Sequence, residues 1–186
     1  MKGFIRSDQT FSLCGLNCGL CPMHLDHYCP GCGGGEGNQS CKIAKCSLEH
    51  DKVEYCNQCS EFPCEKYVGI DEFDSFITHR NQRKDLEKSK SIGIAAYRAE
   101  QEEKIHILKY LLENYNDGRR KSFFCVAVNL IELEDLRAIL EQIKSEIEID
   151  DISLKEKCVH VVKLFQAKAE QQNIILKLNK KPREKS

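Results

Sequence analysis

Cys14-Gly-Leu-Asn-Cys18-Gly-Leu-Cys21-Pro22 opens a segment that closes at Phe62-Pro63-Cys64 and holds ten of the chain's twelve cysteines. Between these ends lie Cys29-Pro-Gly-Cys32, Cys41-x4-Cys46 and Cys56-Asn-Gln-Cys59. Such density has two physical uses: stapling a small secreted domain with disulfides, or holding metal in a reducing compartment. Metal is the better reading here. The N-terminus, Met1 to Asp8, lacks the apolar stretch of a secretory signal, and structural disulfides rarely bridge C-x2-C. A cytoplasmic protein is therefore expected.

Zinc takes four tetrahedral ligands, and thiolates are its commonest choice in structural sites. One C-x2-C pair supplies two of the four from a single tight turn, whose backbone N–H groups then point at the sulfurs. Glycine directly after Cys14, Cys18 and Cys32 eases such turns, because glycine reaches positive φ without steric cost. One pair would be a weak signal; three pairs (18/21, 29/32, 56/59) are a strong one. All ten are candidate ligands: Cys14, Cys18, Cys21, Cys29, Cys32, Cys41, Cys46, Cys56, Cys59 and Cys64. They suffice for two four-thiolate sites with two thiols left over, so two or more zinc ions are expected. His24, His27 and His50 are read as solvated or packing residues rather than ligands. The spacing does not sort the ligands into sites, and bridging thiolates could also hold two metals close together.

Composition changes near residue 67. Residues 1–66 carry three of the four prolines and a glycine run from Gly31 to Gly37, while the rest shows helical periodicity. Four helices are expected: Glu72 to Ser89; Ile92 to Tyr115; Ser122 to about Ile143; and one opened by a Ser153/Glu156 capping box. Asn116-Asp117-Gly118 stops the second. The fold class is mainly α: a small irregular zinc-knuckle module over 1–70, then a helical bundle of about four helices over 71–186, with a frayed basic tail from Lys177. Tyr28, Tyr55, Phe62 and Tyr67 are expected to pack around the knuckles. Cys125 and Cys158 sit among apolar residues and read as buried small hydrophobes. Arg119, Arg120 and Lys121 beside a helix start could receive an anion, but a solvated turn explains them equally well and is preferred.

Charge narrows the partners. Residues 1–66 hold six Lys/Arg against eight Asp/Glu, and the whole chain is at −1. Two four-thiolate zinc sites would take the module to about −6. A nucleic-acid-binding ribbon is normally basic, so nucleic acid is disfavoured and an unidentified protein is the expected partner. No apolar run approaches the roughly 18 residues that cross a bilayer.

The ordered pattern Cys14-Gly-Leu-Asn-Cys18-Gly-Leu-Cys21-Pro22, Cys29-x2-Cys32, Cys41, Cys46 and Cys56-x2-Cys59-x2-Phe62-Pro63-Cys64 resembles the cysteine-rich domain of unknown function 3795 family, over roughly residues 11 to 70. The resemblance implies metal or zinc binding in a bacterial or archaeal protein, and no assigned activity. Two other chemistries share the donor set. Four thiolates can hold an iron–sulfur cluster with a redox role, and Cys14-x3-Cys18-x2-Cys21 matches the radical-SAM spacing, although no α/β barrel follows it. A zinc thiolate can also act as a redox sensor or enzyme. Catalytic zinc needs an open position, which ten thiols make easy to close. No P-loop, dinucleotide fingerprint or catalytic triad signature is present. The reading is a binding or scaffold protein with structural zinc, not an enzyme.

Overall fold

A computed structural model describes residues 3–35, 41–147 and 152–182. The end of the glycine run, from position 36, and the last four residues of the tail lie outside the described residues. Among the described residues, seven α-helices form and no strand does. The protein is mainly helical, as expected. Two compact units divide it, Met1–Gln101 with Leu178–Ser186 and Glu102–Lys177.

In the first unit the chain from Ser12 to Tyr67 is mostly turns. It contains two short helices, α1 (Pro22–Leu25) and α2 (Lys42–Glu49), and 3-10 turns at Cys18–Leu20, Cys56–Gln58 and Glu65–Tyr67. Its apolar core is thin and aromatic. Phe11, Tyr55, Tyr67, Leu86 and Tyr97 form one cluster, and Phe4, Leu13 and Ala44 form a second. Cys56 packs against both. Leu86 comes from α3 (Gln82–Ile92) and Tyr97 from α4 (Ile94–Asn114). These two residues complete the larger cluster, which is why the unit runs past residue 70 to Gln101. Gly93, at φ 85°, ends α3 and lets α4 begin one residue later.

The first expected helix begins later than its periodicity suggested, at Gln82 instead of Glu72. The cause is Asp74, whose carboxylate accepts from the His79 N–H (2.7 Å), the Thr78 hydroxyl (3.2 Å) and the Asn179 N–H (2.8 Å). Such side-chain bonds compete with helix formation. They also pin the tail that was expected to fray: Asn179 returns its carbonyl to the Asp74 N–H (2.7 Å), and the Lys180 ammonium reaches the Ser75 carbonyl.

The second unit takes the rest of α4 with α5 (Lys121–Leu130), α6 (Leu133–Glu146) and α7 (Leu154–Gln171). Leu108, Phe124, Val128, Leu136, Ile143, Val161 and Phe165 are fully buried, and Phe165 meets Phe124 edge-on at 6.0 Å. The Ser153/Glu156 capping box opens α7 as expected, with the Ser153 N–H donating to the Glu156 carboxylate (3.0 Å). The single third helix expected over 122–143 is instead two, because Ile131 and Glu132 are extended. Buried Lys104 holds the break: its amino group donates to the carbonyls of Ile131 (2.8 Å) and Asn129 (3.4 Å), satisfying acceptors that the end of α5 leaves open.

Lys104→Met keeps the stem and removes those donors. It is expected to lower stability by about 1–3 kcal/mol in urea unfolding; a change below about 0.5 kcal/mol would show that the Ile131 carbonyl has another partner of equal worth.

Candidate metal centre

Two of the three C-x2-C pairs adopt the same local structure. In each, the first cysteine starts a 3-10 turn and the second is extended, Cys21 at φ −88°, ψ 129° and Cys59 at φ −75°, ψ 139°. The Cys21 N–H donates to the Cys18 carbonyl and the Cys59 N–H to the Cys56 carbonyl, both at 3.0 Å. Cys21 then precedes Pro22 at the first position of α1, and its carbonyl accepts from the His24 N–H (3.1 Å) and the Leu25 N–H (2.9 Å). Glycine supplies positive φ at Gly15 (95°) and Gly33 (78°) but not at Gly19. At Gly15 any side chain would also meet the Gln82 carbonyl. Cys41 caps α2, Cys46 lies on it, and Cys64 leads the turn Glu65–Tyr67.

The ten thiols fall into two groups that meet at Cys14 and Cys56. In the first, burial raises the Cys18 pKa well above its ordinary value, and the nearby Cys14, Cys32, Cys21 and Cys29 raise it further. Burial pushes the Cys14 thiol up to about 11, with Cys32 and Cys41 adding to it. Cys32 is raised by burial too, while the nearby Leu13 N–H and Arg6 guanidinium pull the other way; the guanidinium donates to the Cys32 carbonyl at 3.4 Å. In the second group, Cys46, Cys56, Cys59 and Cys64 line one cavity of about 30 Å³, walled by Ile43, Val53, Phe62 and Tyr67 and rimmed by His50, Glu61 and Lys66. Burial pushes Cys56 up to about 12, opposed by a hydrogen bond from the Tyr67 hydroxyl and reinforced by Cys14, Cys64 and Cys46. The thiols gather without converging: among the described residues, no three His, Cys, Asp or Glu side chains stand as a ready-made metal site.

The donor set nevertheless suits a soft cation. Sulfur-only ligands favour zinc, copper(I) or iron–sulfur clusters over hard ions, and a bound dication removes the mutual repulsion that keeps crowded thiols protonated. All twelve cysteines are described, and none is in a disulfide.

Sequence reading missed the polar frame of this unit. Arg6 is only 4% exposed. Its Nε donates to the Glu54 carbonyl (3.0 Å), and its Nη1 donates to the carbonyls of Asp8 (2.8 Å) and Phe11 (3.0 Å). The guanidinium also lies 5.1 Å from the Tyr55 ring centroid. Asn17 bridges Asp85 (2.8 Å) and the Tyr97 hydroxyl (3.2 Å). Asn17 sits inside the quoted cysteine motif, but its partners Asp85 and Tyr97 are 68 and 80 residues away, and Arg6 reaches Glu54 48 residues away, so no local signal could have marked these roles.

The other singled-out residues sort as follows. His24 and His50 place Nδ1 at the carbonyls of Cys29 (3.0 Å) and Cys46 (2.9 Å), bracing cysteine loops. His50 Nε2 also lies 3.6 Å from Glu61. Tyr55, Phe62 and Tyr67 pack as expected, but Tyr28 does not: it is 76% exposed. Cys125 and Cys158 are buried in the second unit. At Asn116 to Arg120 the turn is closed by its own side chains: Asn116 Oδ1 accepts from the Gly118 and Arg120 N–H groups (both 3.1 Å), and Asp117 Oδ1 from the Arg119 N–H (2.9 Å). Among the described residues, no helix is long and apolar enough to cross a membrane. Comparison of the chain with protein-family models, curated proteins and solved structures gives no match.

Asp8 supplies a pH test of the frame. Burial raises its carboxyl pKa, but bonds from the Phe11 N–H, the Tyr55 hydroxyl and Thr10 outweigh this and hold it below its ordinary 3.8. The folded value lies below the unfolded one, so the stabilisation is full above about pH 3.8 and lost as pH falls through the folded value. Wild type should therefore exceed Asp8→Asn in urea midpoint at pH 6, with the gap closing toward pH 3; a gap independent of pH would contradict the ionised role.

Proposed function

We propose that the first unit is a zinc-binding module with structural four-thiolate sites, in a protein whose role is binding or scaffolding rather than catalysis. The observation that carries this is the gathering of ten thiols in one small unit, four of them around a single cavity. The resemblance of the cysteine pattern to the domain of unknown function 3795 family points the same way, as does its implication of a bacterial or archaeal cytoplasm.

The chemistry is coupled folding and deprotonation. Each cysteine must lose its proton to ligate, and free energy on the order of 10 kcal/mol or more per structural zinc becomes folding free energy. That is comparable to the gross contribution of the two apolar clusters, whose eight buried residues supply roughly 1.5–3 kcal/mol each, most of which offsets chain entropy. Zinc takes the place of the missing core. The acidic balance of residues 1–66 argues for a protein partner over nucleic acid.

Metal analysis of protein purified without oxygen should find about two zinc ions per chain in a colourless solution. Iron with sulfide and absorbance near 400 nm, as cluster proteins give, would replace this reading with a redox one. Cys18→Ser and Cys56→Ser should each release metal and loosen the first unit, while Cys125→Ser should leave the metal count unchanged.

A further inference from the structure

We infer that Cys46, Cys56, Cys59 and Cys64 form one complete site for a thiophilic dication, separate from a site built on the thiols around Cys18; the assignment rests on the zinc reading above and sorts its ligands. The four residues come from a short, continuous stretch of chain that uses neither of the upstream C-x2-C pairs. Cys56 and Cys59 share a 3-10 turn, Cys64 heads the next, and Cys46 reaches them from α2. Their thiols line one cavity of about 30 Å³, room for one or two water-sized bodies. Rotation about a cysteine χ1 moves the sulfur by about 3 Å between staggered positions, the scale on which the lining thiols would turn to meet a central ion.

The surroundings suit one buried charged centre. Ile43, Val53 and Phe62 give the cavity an apolar lining, and Lys66, which also lines it, would supply a counter-charge to a four-thiolate unit of net −2. At the seam with the other group, the Tyr67 hydroxyl donates to the Cys14 carbonyl at 3.3 Å. The Cys56 N–H donates to the Leu13 carbonyl at 2.9 Å, and the Cys14 thiol lies 3.2 Å from the Ser12 hydroxyl.

Native mass spectrometry of the full chain, zinc-loaded and kept free of oxygen, tests the assignment. Cys59→Ser and Cys64→Ser should each lose one zinc ion, and the double variant the same single ion. Cys21→Ser combined with Cys59→Ser should lose one more ion than either alone. A Cys59→Ser/Cys64→Ser double variant that loses two ions, or a Cys21→Ser/Cys59→Ser pair that loses only one, overturns the sorting. A wild-type chain that carries no thiolate-bound metal overturns the zinc reading together with it. Wild-type protein gives a check that does not depend on variants folding. On partial chelation with alkylation by N-ethylmaleimide, single molecules should carry labels on all four of Cys46, Cys56, Cys59 and Cys64 or on none; molecules labelled on two of the four and on two upstream cysteines overturn it.

Discussion

A buried thiol surrounded by other thiols loses its proton only when positive charge arrives to share it. On the zinc reading proposed above, this constraint governs the first unit. Burial and thiol neighbours push Cys14 to about 11 and Cys56 to about 12, which favours the protonated form of these two thiols until a cation arrives. A dication reverses every one of those shifts at once. The unit has few other sources of cohesion. Its helices before α3 are four and eight residues long, too short to stand alone.

What the protein supplies instead is a frame that sets each cysteine in place. Arg6 ties three stretches of backbone with one guanidinium, at Asp8 and Phe11, at Cys32 and at Glu54. Asp8 gathers the turn at Thr10 and Phe11 and receives the Tyr55 hydroxyl at 2.8 Å. Asn17, one residue before Cys18, is locked to Asp85 of α3. Each of these groups is buried and bonded to backbone or to another buried group, where removing one partner strands the rest. The second unit is held by different means, with a conventional apolar interior and helices closed by a capping box and a buried lysine.

Much of this was legible in the sequence, and the failures have specific causes. The cysteine spacing identified turns at 18/21 and 56/59 because a C-x2-C turn is a local event, decided by four residues. The capping box at Ser153 was legible for the same reason. The helix from Glu72 failed because Asp74 bonds to Asn179, a contact 105 residues away that no periodicity records. The continuous helix over 122–143 failed because its break is stabilised by Lys104 from a preceding helix. Grouping the ten thiols was out of reach altogether, since it depends on which turns face one another across α2 and the Tyr67 ring.

Backbone hydrogen exchange on the full chain, before and after chelation under reducing conditions, tests the account most directly. If thiolate-bound metal holds the first unit, amides from Leu13 to Tyr67 should lose protection on chelation while those of α5 to α7 keep theirs. Unchanged protection across residues 13–67 after the metal has gone would show that the polar frame and thin aromatic core suffice, and would contradict the central claim.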